Sequence, residues 1–502
     1  MPTEPAVVLP IPPPPLPMPT AGSMFRQFVQ LLALIVSLLL VVRTVFLEPF
    51  GVPTGSMAPA LIGNHREIAC PNCDFPITVG VPDKPDQAQR LAVCPNCGHG
   101  PIRETLDGRD ILGDRLLVDK SVFTVRPPRR WEVAVFYSPE RGKDSRPFSL
   151  RAVGSPGEPF VKRVVGLPGE AIQIRDGDLH ANGVLCRKTL SQVWQTAIPV
   201  MSMAHVPAGT GWAPRWVTEA VAADPKRPAA PLGTASIEAS VLTLDAVATP
   251  DTAVGLTYRH RNLKTNKDEP VLDRLGYNGE EWVEPARVHD FAVRCEIEVT
   301  AGRGLFACRL FDGADAVKVE LPVAADAEPL YPAVVAHDGG LPPTVVPGVR
   351  LVPGKKYRLE FAFVDRRATV ALDGVELAPP LDLPPTAGDR KKVERPLQFG
   401  VRGATVVVRD LVLLRDIHYF ADAQRHHAAT PYLLGPDEFF VLGDNAGNSH
   451  DSRMWAKPGV PRGAFIGKPF LIHQPLKAGR VTVNGNDRQY TTVDWDRVRL
   501  LE

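Results

Sequence analysis

An apolar stretch near the start of the chain limits what it can be more than any other feature. Residues 25–47 read FRQFVQLLALIVSLLLVVRTVFL. As a helix these residues rise about 34 Å, against a bilayer core of about 30 Å. The unbroken apolar run, 31–42, is too short to span alone, but Ser37 can bond back to its own helix and Arg43 can snorkel to the interface. A cleaved leader is the competing reading. No small-x-small site follows the apolar run directly, and Arg43 is out of place for one, so residues 24–47 are read as a transmembrane anchor. Arg26 and Arg43 flank the span symmetrically and give no orientation. Ahead of it, residues 1–23 hold nine prolines and predict an extended or disordered tail that acts as a spacer.

At 502 residues the chain has room for two or more domains. A net charge of +1 gives no argument for a nucleic-acid partner. The 52 prolines, roughly twice the average share, point to many short strand connections and against a helical bundle. Residues 106–190 read as short strands (DRLLVDK, WEVAVFY, FVKRVVGL, AIQIRDGDLHANGVLC) with hairpin signals at Asp176-Gly177 and Asn182-Gly183. A long section, 191–430, intervenes before the strand EFFVLGDN at 438–445. That section is also β-rich, and between about 235 and 418 its strand spacing fits a two-sheet sandwich. Within it, YRLEFAFVDRRATVALDGVEL resembles the paired strands of concanavalin-like or laminin-G-like jelly rolls.

Chemistry concentrates in a few places. Ser56 lies in PTGSMAP, where Gly55 lets a ligand backbone approach and Pro59 stiffens the chain beyond the serine. A serine hydroxyl needs a base. His65 sits at the edge of a cysteine section, and His450 beside Asp451 leaves a Ser-His-Asp arrangement open. Lys162, in FVKRVV, is the better base. Burial among apolar side chains disfavours its ammonium form, and a neutral amine can take the serine proton.

Cys70-Pro-Asn-Cys73 and Cys94-Pro-Asn-Cys97, twenty residues apart, have the spacing of four thiolates around a tetrahedral zinc. Two disulfides are the alternative in an oxidising compartment, but a C-x2-C disulfide closes a strained ring. A structural zinc is therefore expected, in a ribbon-like insert over 66–105, with His99 left out of it. Cys295 and Cys308 are predicted on successive strands, where they pair or stay as buried thiols, and Cys186 reads as a core residue.

Five segments in order resemble the type I signal peptidase family: the N-terminal span, PTGSMAPAL, GDRLLVDK (113–120), VKRVVGLPGE (161–170) and GDNAGNSHDSRMW (443–455). The resemblance implies a mainly β chain in which a transmembrane helix precedes an antiparallel β catalytic fold. That fold would occupy 48–190 and 431–502, interrupted by the zinc ribbon and by a β-sandwich insertion within 191–430. It also implies Ser56 as nucleophile, Lys162 as general base, Thr54 as an oxyanion donor beside the Ser56 amide, and Ser449 orienting Lys162. Asp451, Arg453, Asp444 and Arg163 become structural support. Where the family carries an Arg-Asp pair in its fifth block, this chain has Ala446-Gly447, which predicts a looser loop.

The implied activity is cleavage of N-terminal signal peptides from exported preproteins, after small residues, on the extracytoplasmic side of the cell membrane. Phe46, Phe50 and Met57 would dip into lipid. The partners are preprotein signal peptides and membrane lipid, with no nucleic acid. The rival from another class is a catalytically degenerate, membrane-anchored binding protein that uses the ribbon and sandwich, and a self-cleaving Ser/Lys repressor lacks the N-terminal span.

Overall fold

The structure is a computed structural model. It describes residues 21–82, 91–103, 109–139, 159–221, 233–250, 252–279, 285–325, 331–386, 388–422, 424–483 and 486–501. Of the predicted tail, 1–20 lie outside the described residues, and 21–23 already belong to the first helix. That helix, Ala21–Val41, rises about 31 Å. Its segment Met24–Val41 has a mean hydropathy of 2.0 with none of it buried, and it is long and apolar enough to cross a membrane. A wider turn, Val42–Phe46, follows, and the chain passes without a linker into the strand Leu47–Gly51.

The described chain is mainly β. Leu47–Gly51 is the edge of an antiparallel sheet. Its neighbours are, in order, Arg115–Asp119, Phe465–Ile472, Val133–Tyr137, Pro159–Gly166, Glu438–Leu442 and Val460–Pro461. Arg499–Leu500 pairs against Phe465–Ile472 as well. The expected core strand over 113–120 forms as Arg115–Asp119, with Leu116 and Val118 buried on one face. Pro159–Gly166 is buried on both faces, which is why its β-branched run VKRVV shows no polar alternation. Lys162 pairs with Ala134 on one side of it, and Arg163 with Leu442 on the other. The strand that carries Lys162 is thus completed by a strand some 270 residues later in sequence.

One ion pair ties these strands. Arg163 donates through Nε and Nη2 to the two Asp444 carboxylate oxygens at 2.7 and 2.6 Å, and through Nη1 to the Trp131 carbonyl at 2.7 Å. All of Arg163 and Asp444 is buried. A small separate sheet holds the predicted hairpins: Ala171–Arg175, Asp178–Ala181 and Val184–Leu185, joined by Tyr432–Leu433. Asp176, Gly177, Asn182 and Gly183 all take positive φ, as tight two-residue turns require.

Between these returns the inserted section forms a 14-stranded sheet around one large core. Two sheets are expected here; apart from the short pair Arg261–Asn262 and Lys267–Asp268, the described strands of the section form one hydrogen-bonded sheet. The reason is its two long strands, Phe291–Phe311 and Leu397–Arg415, which pair along most of their length. Their register shifts at Arg294/Glu296, Val299/Ala301 and Gly302/Leu305. Such bulges bend and twist a strand, so one pair of strands serves the whole sheet. Cys295 and Cys308 are accordingly on one strand, not two, and both are buried in the core.

The inserted section is fastened to the small hairpin sheet by buried charge. Lys188 Nζ reaches Asp416 at 2.7 Å and Asp365 at 3.1 Å, and Arg390 pairs with Asp178 at 3.1 Å.

Asp444→Asn removes the charge that Arg163 is buried against. A lone buried guanidinium is costly, so equilibrium denaturation in detergent should show a loss of about 3–5 kcal/mol. A change below about 1 kcal/mol would mean that the pair contributes nothing beyond packing.

Candidate active site and four-cysteine cluster

Ser56 sits in a tight turn, Gly55–Met57, four residues after the edge strand that continues the apolar helix. The turn is held from behind. The Asn445 backbone N–H donates to the Ser56 carbonyl at 3.0 Å, and Asn445 Nδ2 donates to the Gly55 carbonyl at 3.0 Å. Met57 is buried among Val52, Leu61, Leu116 and Ile472, and Phe50 packs against the same core. Of the three residues expected to reach lipid, only Phe46 is exposed. Met57 is instead an anchor of the serine turn.

The structure brings Lys162 to this serine: Nζ lies 2.6 Å from Ser56 Oγ and 3.1 Å from the Val161 carbonyl. Both residues are buried, at 4% and 8% exposure. Burial pushes the Lys162 ammonium down to about 8. Asp451 and Asp444 pull the other way, and Arg453 reinforces the shift. The shift raises the share of neutral amine near neutral pH relative to an ordinary lysine. His450 is exposed, and its ring lies edge-on to Trp455 at 6.4 Å. His65 is fully buried with Nδ1 2.8 Å from the Gly63 carbonyl.

Thr54 immediately precedes the turn in extended conformation and is exposed. Ser449 lies beside Gly443 and the Ser56 carbonyl, but no hydrogen bond joins it to Lys162 among the described residues. Its buried hydroxyl makes no regular hydrogen bond among the described residues and lies towards Asp451, whose ionised form it favours. Besides Ser56 Oγ, Lys162 Nζ bonds the Val161 carbonyl. Gly443 explains the spacing, since a methyl group there would overlap both Ser449 Oγ and the Ser56 carbonyl.

Asp451 and Arg453 form a fully buried bidentate pair at 2.9 and 2.7 Å. Burial pushes the Asp451 carboxyl up, but Arg453 and the Gly443 N–H outweigh it and hold the group below its ordinary range. The loop with Ala446-Gly447 in place of a charged pair has its carbonyls bonded. Arg453 donates to the Ala446 carbonyl at 3.0 Å, and Arg425 to the Gly447 carbonyl at 2.6 Å. Arg425 is itself held by Asp422 at 2.7 Å. The sequence signal for Arg425 is absent, because it lies in irregular chain outside every motif. Asn445 was within reach, in the middle of GDN, yet its partners on the serine turn are visible only in three dimensions.

The four paired cysteines converge. Cys70 and Cys97 Sγ are 3.7 Å apart, as are Cys73 and Cys94, and all four sulfurs lie within 4.8 Å of one another. Sulfurs at 2.3 Å from a tetrahedral zinc are about 3.8 Å from each other, whereas a disulfide needs about 2.05 Å. The repeated Asn has a use here. Asn72 Nδ2 donates to Cys97 Sγ at 3.5 Å and Asn96 Nδ2 to Cys73 Sγ at 3.6 Å, so each knuckle supports a sulfur of the other. The hairpin His65–Ala69 and Pro76–Gly80 presents the first knuckle. Contacts from Asn96 to the His205 carbonyl and the Ser202 N–H seat the second on the inserted section.

Residues 108–210 match the family of signal peptidase, peptidase S26. This range holds the 113–120 strand and Lys162 but stops short of Ser56 and of 443–455. No curated protein matches the chain. Solved structures similar to part of it include carbohydrate binding module CBM66 from Bacillus subtilis, at 13% identity and TM-score 0.23, covering 36% of this chain and 91% of that one. Another is Trypanosoma rangeli sialidase, at 15% identity and TM-score 0.24, covering 37% and 27%. A third is the Caenorhabditis elegans galectin LEC-6, at 13% identity and TM-score 0.18, covering 25% and 83%. Likeness at these scores carries no argument about function. What the comparisons support is a segment of signal peptidase character, 108–210, in a mainly β chain with one apolar N-terminal helix.

Proposed function

We propose that this chain is a membrane-anchored signal peptidase that cuts signal peptides from exported preproteins after small residues, with Ser56 as nucleophile and Lys162 as general base. The observation that carries the reading is the 2.6 Å contact of a buried Lys162 amine with Ser56 Oγ. The family match over 108–210 gives it a substrate class.

The chemistry follows from the geometry. Neutral Lys162 takes the Ser56 proton as Oγ attacks the scissile carbonyl, and the carbonyl oxygen becomes an oxyanion facing the Ser56 N–H and the Thr54 hydroxyl. Lys162 then gives its proton to the leaving amine, which departs as the new N-terminus of the mature protein, and an ester to Ser56 remains. A water molecule loses its proton to Lys162, attacks the ester, and releases the signal peptide with Ser56 restored. Arg163, Asp444, Asp451 and Arg453 are scaffold, holding the strand and loop that flank the dyad.

The helix 21–41 is the proposed single-pass anchor, with the catalytic sheet on the extracytoplasmic side. Because helix and edge strand are continuous, Ser56 is held close to the membrane surface where a signal peptide leaves the bilayer. The catalytic domain is then built from 48–190 and 431–502, with the ribbon over 66–105 and the insertion over 191–430 emerging from it. Cys70, Cys73, Cys94 and Cys97 fit one structural zinc, which would fasten the ribbon and take no part in the reaction.

Purified protein in detergent should cut a preprotein with a small-x-small site, and Ser56→Ala and Lys162→Ala should each lower the rate by at least about a thousandfold. Cleavage that survives Lys162→Ala but is lost in His450→Ala would overturn the dyad, and no cleavage by the wild type would favour a binding protein. Metal analysis of the same preparation should give about one zinc per chain, and Cys73→Ser should remove most of it. Four oxidised cysteines without zinc would refute the metal.

A further inference from the structure

The inserted section reaches the serine turn. Its short turn Gly276–Asn278 has both Tyr277 and Asn278 buried. The Tyr277 ring lies flush on Gly55 and Gly80, so that a methyl group at either glycine would overlap it. The Tyr277 hydroxyl donates to the Asn64 carbonyl at 2.8 Å. Beside it, Asn278 and Asn445 form a reciprocal amide pair: Asn278 Nδ2 donates to Asn445 Oδ1 at 2.9 Å, and Asn445 Nδ2 donates to Asn278 Oδ1 at 2.7 Å.

This pair decides which way Asn445 faces. The Gly55 carbonyl can only accept, so Asn445 must turn its NH2 group towards it. The planar amide then leaves one N–H and one carbonyl oxygen pointing away, and Asn278 offers the complementary oxygen and N–H. A flipped Asn445 would set two oxygens against each other at Gly55 and two NH2 groups against each other at Asn278. With both side chains buried at 2% and 9% exposure, no water competes for these groups, and an unsatisfied amide is costly.

We propose that Asn278 is a positioning residue for the Ser56 nucleophile, and that the insertion is therefore part of the active-site scaffold. Asn278 fixes Asn445, Asn445 fixes the Gly55 and Ser56 carbonyls, and those peptide groups set the direction of Ser56 Oγ towards Lys162. The proposal rests on the peptidase reading for its catalytic consequence, but not for its structural one.

The test uses the full-length protein in detergent, with Asn278→Ala and the near-isosteric Asn278→Asp, which keeps the volume and loses the NH2 group. Steady-state cleavage of a preprotein should show kcat reduced about tenfold or more and KM within about twofold, because the turn and not the substrate contacts has moved. The rising limb of the pH profile should stay near the wild-type position, since Lys162 keeps its surroundings. Asn278→Ala combined with Asn445→Ala should be no slower than Asn445→Ala alone. Hydrogen exchange supplies an arm independent of activity: peptides over 50–62 and 443–450 should lose protection in both variants while those over 159–167 and 397–415 keep theirs. Unchanged kcat, multiplicative losses in the double variant, or unchanged protection at 443–450 would each overturn the proposal. Wild-type protein that cuts nothing would sink the peptidase reading alone, and exchange would still decide whether Asn278 holds the turn.

Discussion

The proposed chemistry depends on keeping one amine, Lys162 Nζ, out of water. Lys162 is a poor base as an ordinary surface lysine and a good one when burial lowers its pKa to about 8. The protein achieves this by placing Lys162 on a strand covered on both faces and flanked by strands on both edges. The cost of that burial is a folding cost, and the charges around it are themselves paired. Arg163 with Asp444 and Arg453 with Asp451 are bidentate pairs.

The second requirement is that Ser56 stay within 2.6 Å of that amine, although the two residues come from distant parts of the chain. The turn is braced on one side by its own core, through Met57, and on the other by Asn445, which arrives only after the insertion. The insertion then braces Asn445 through Asn278 and covers Gly55 with Tyr277. The ribbon is seated on the same inserted section: Ala208 N–H bonds the Asn72 carbonyl at 2.8 Å, and Phe75 meets His205 edge-on at 5.1 Å. Ribbon, insertion and serine turn are thus in mechanical contact, which gives the two inserted pieces a physical reason to be folded against the site.

Much of this was legible in the sequence, and the reasons are physical. The apolar helix, the β-branched strand around Lys162 and the Asp176-Gly177 and Asn182-Gly183 turns are local signals, because residue type alone selects the conformation. The four cysteines were legible for the same reason: spacing within each knuckle fixes which atoms can meet. The features hidden from the sequence are those that depend on distant chain meeting distant chain. The resemblance implies Ser449 beside Lys162, and the packing of Ser449 Oγ and the Ser56 carbonyl against Gly443 is visible only in three dimensions. The Ala446-Gly447 loop was expected to be loose, and Arg453 and Arg425 hold it through its carbonyls, which no side-chain motif reports. Two sheets were expected in the insertion because alternation cannot reveal that a strand of 21 residues bends through both halves.

The central claim is that a buried lysine, and no histidine, activates Ser56. Its most direct test is the pH dependence of kcat/KM for preprotein cleavage. Protonated Lys162 cannot accept a proton, so the rate should rise with pH along a single limb with an apparent pKa of about 8. A limb near 6.5, the ordinary range of imidazole, or a rate indifferent to pH between about 6 and 9, would contradict the account.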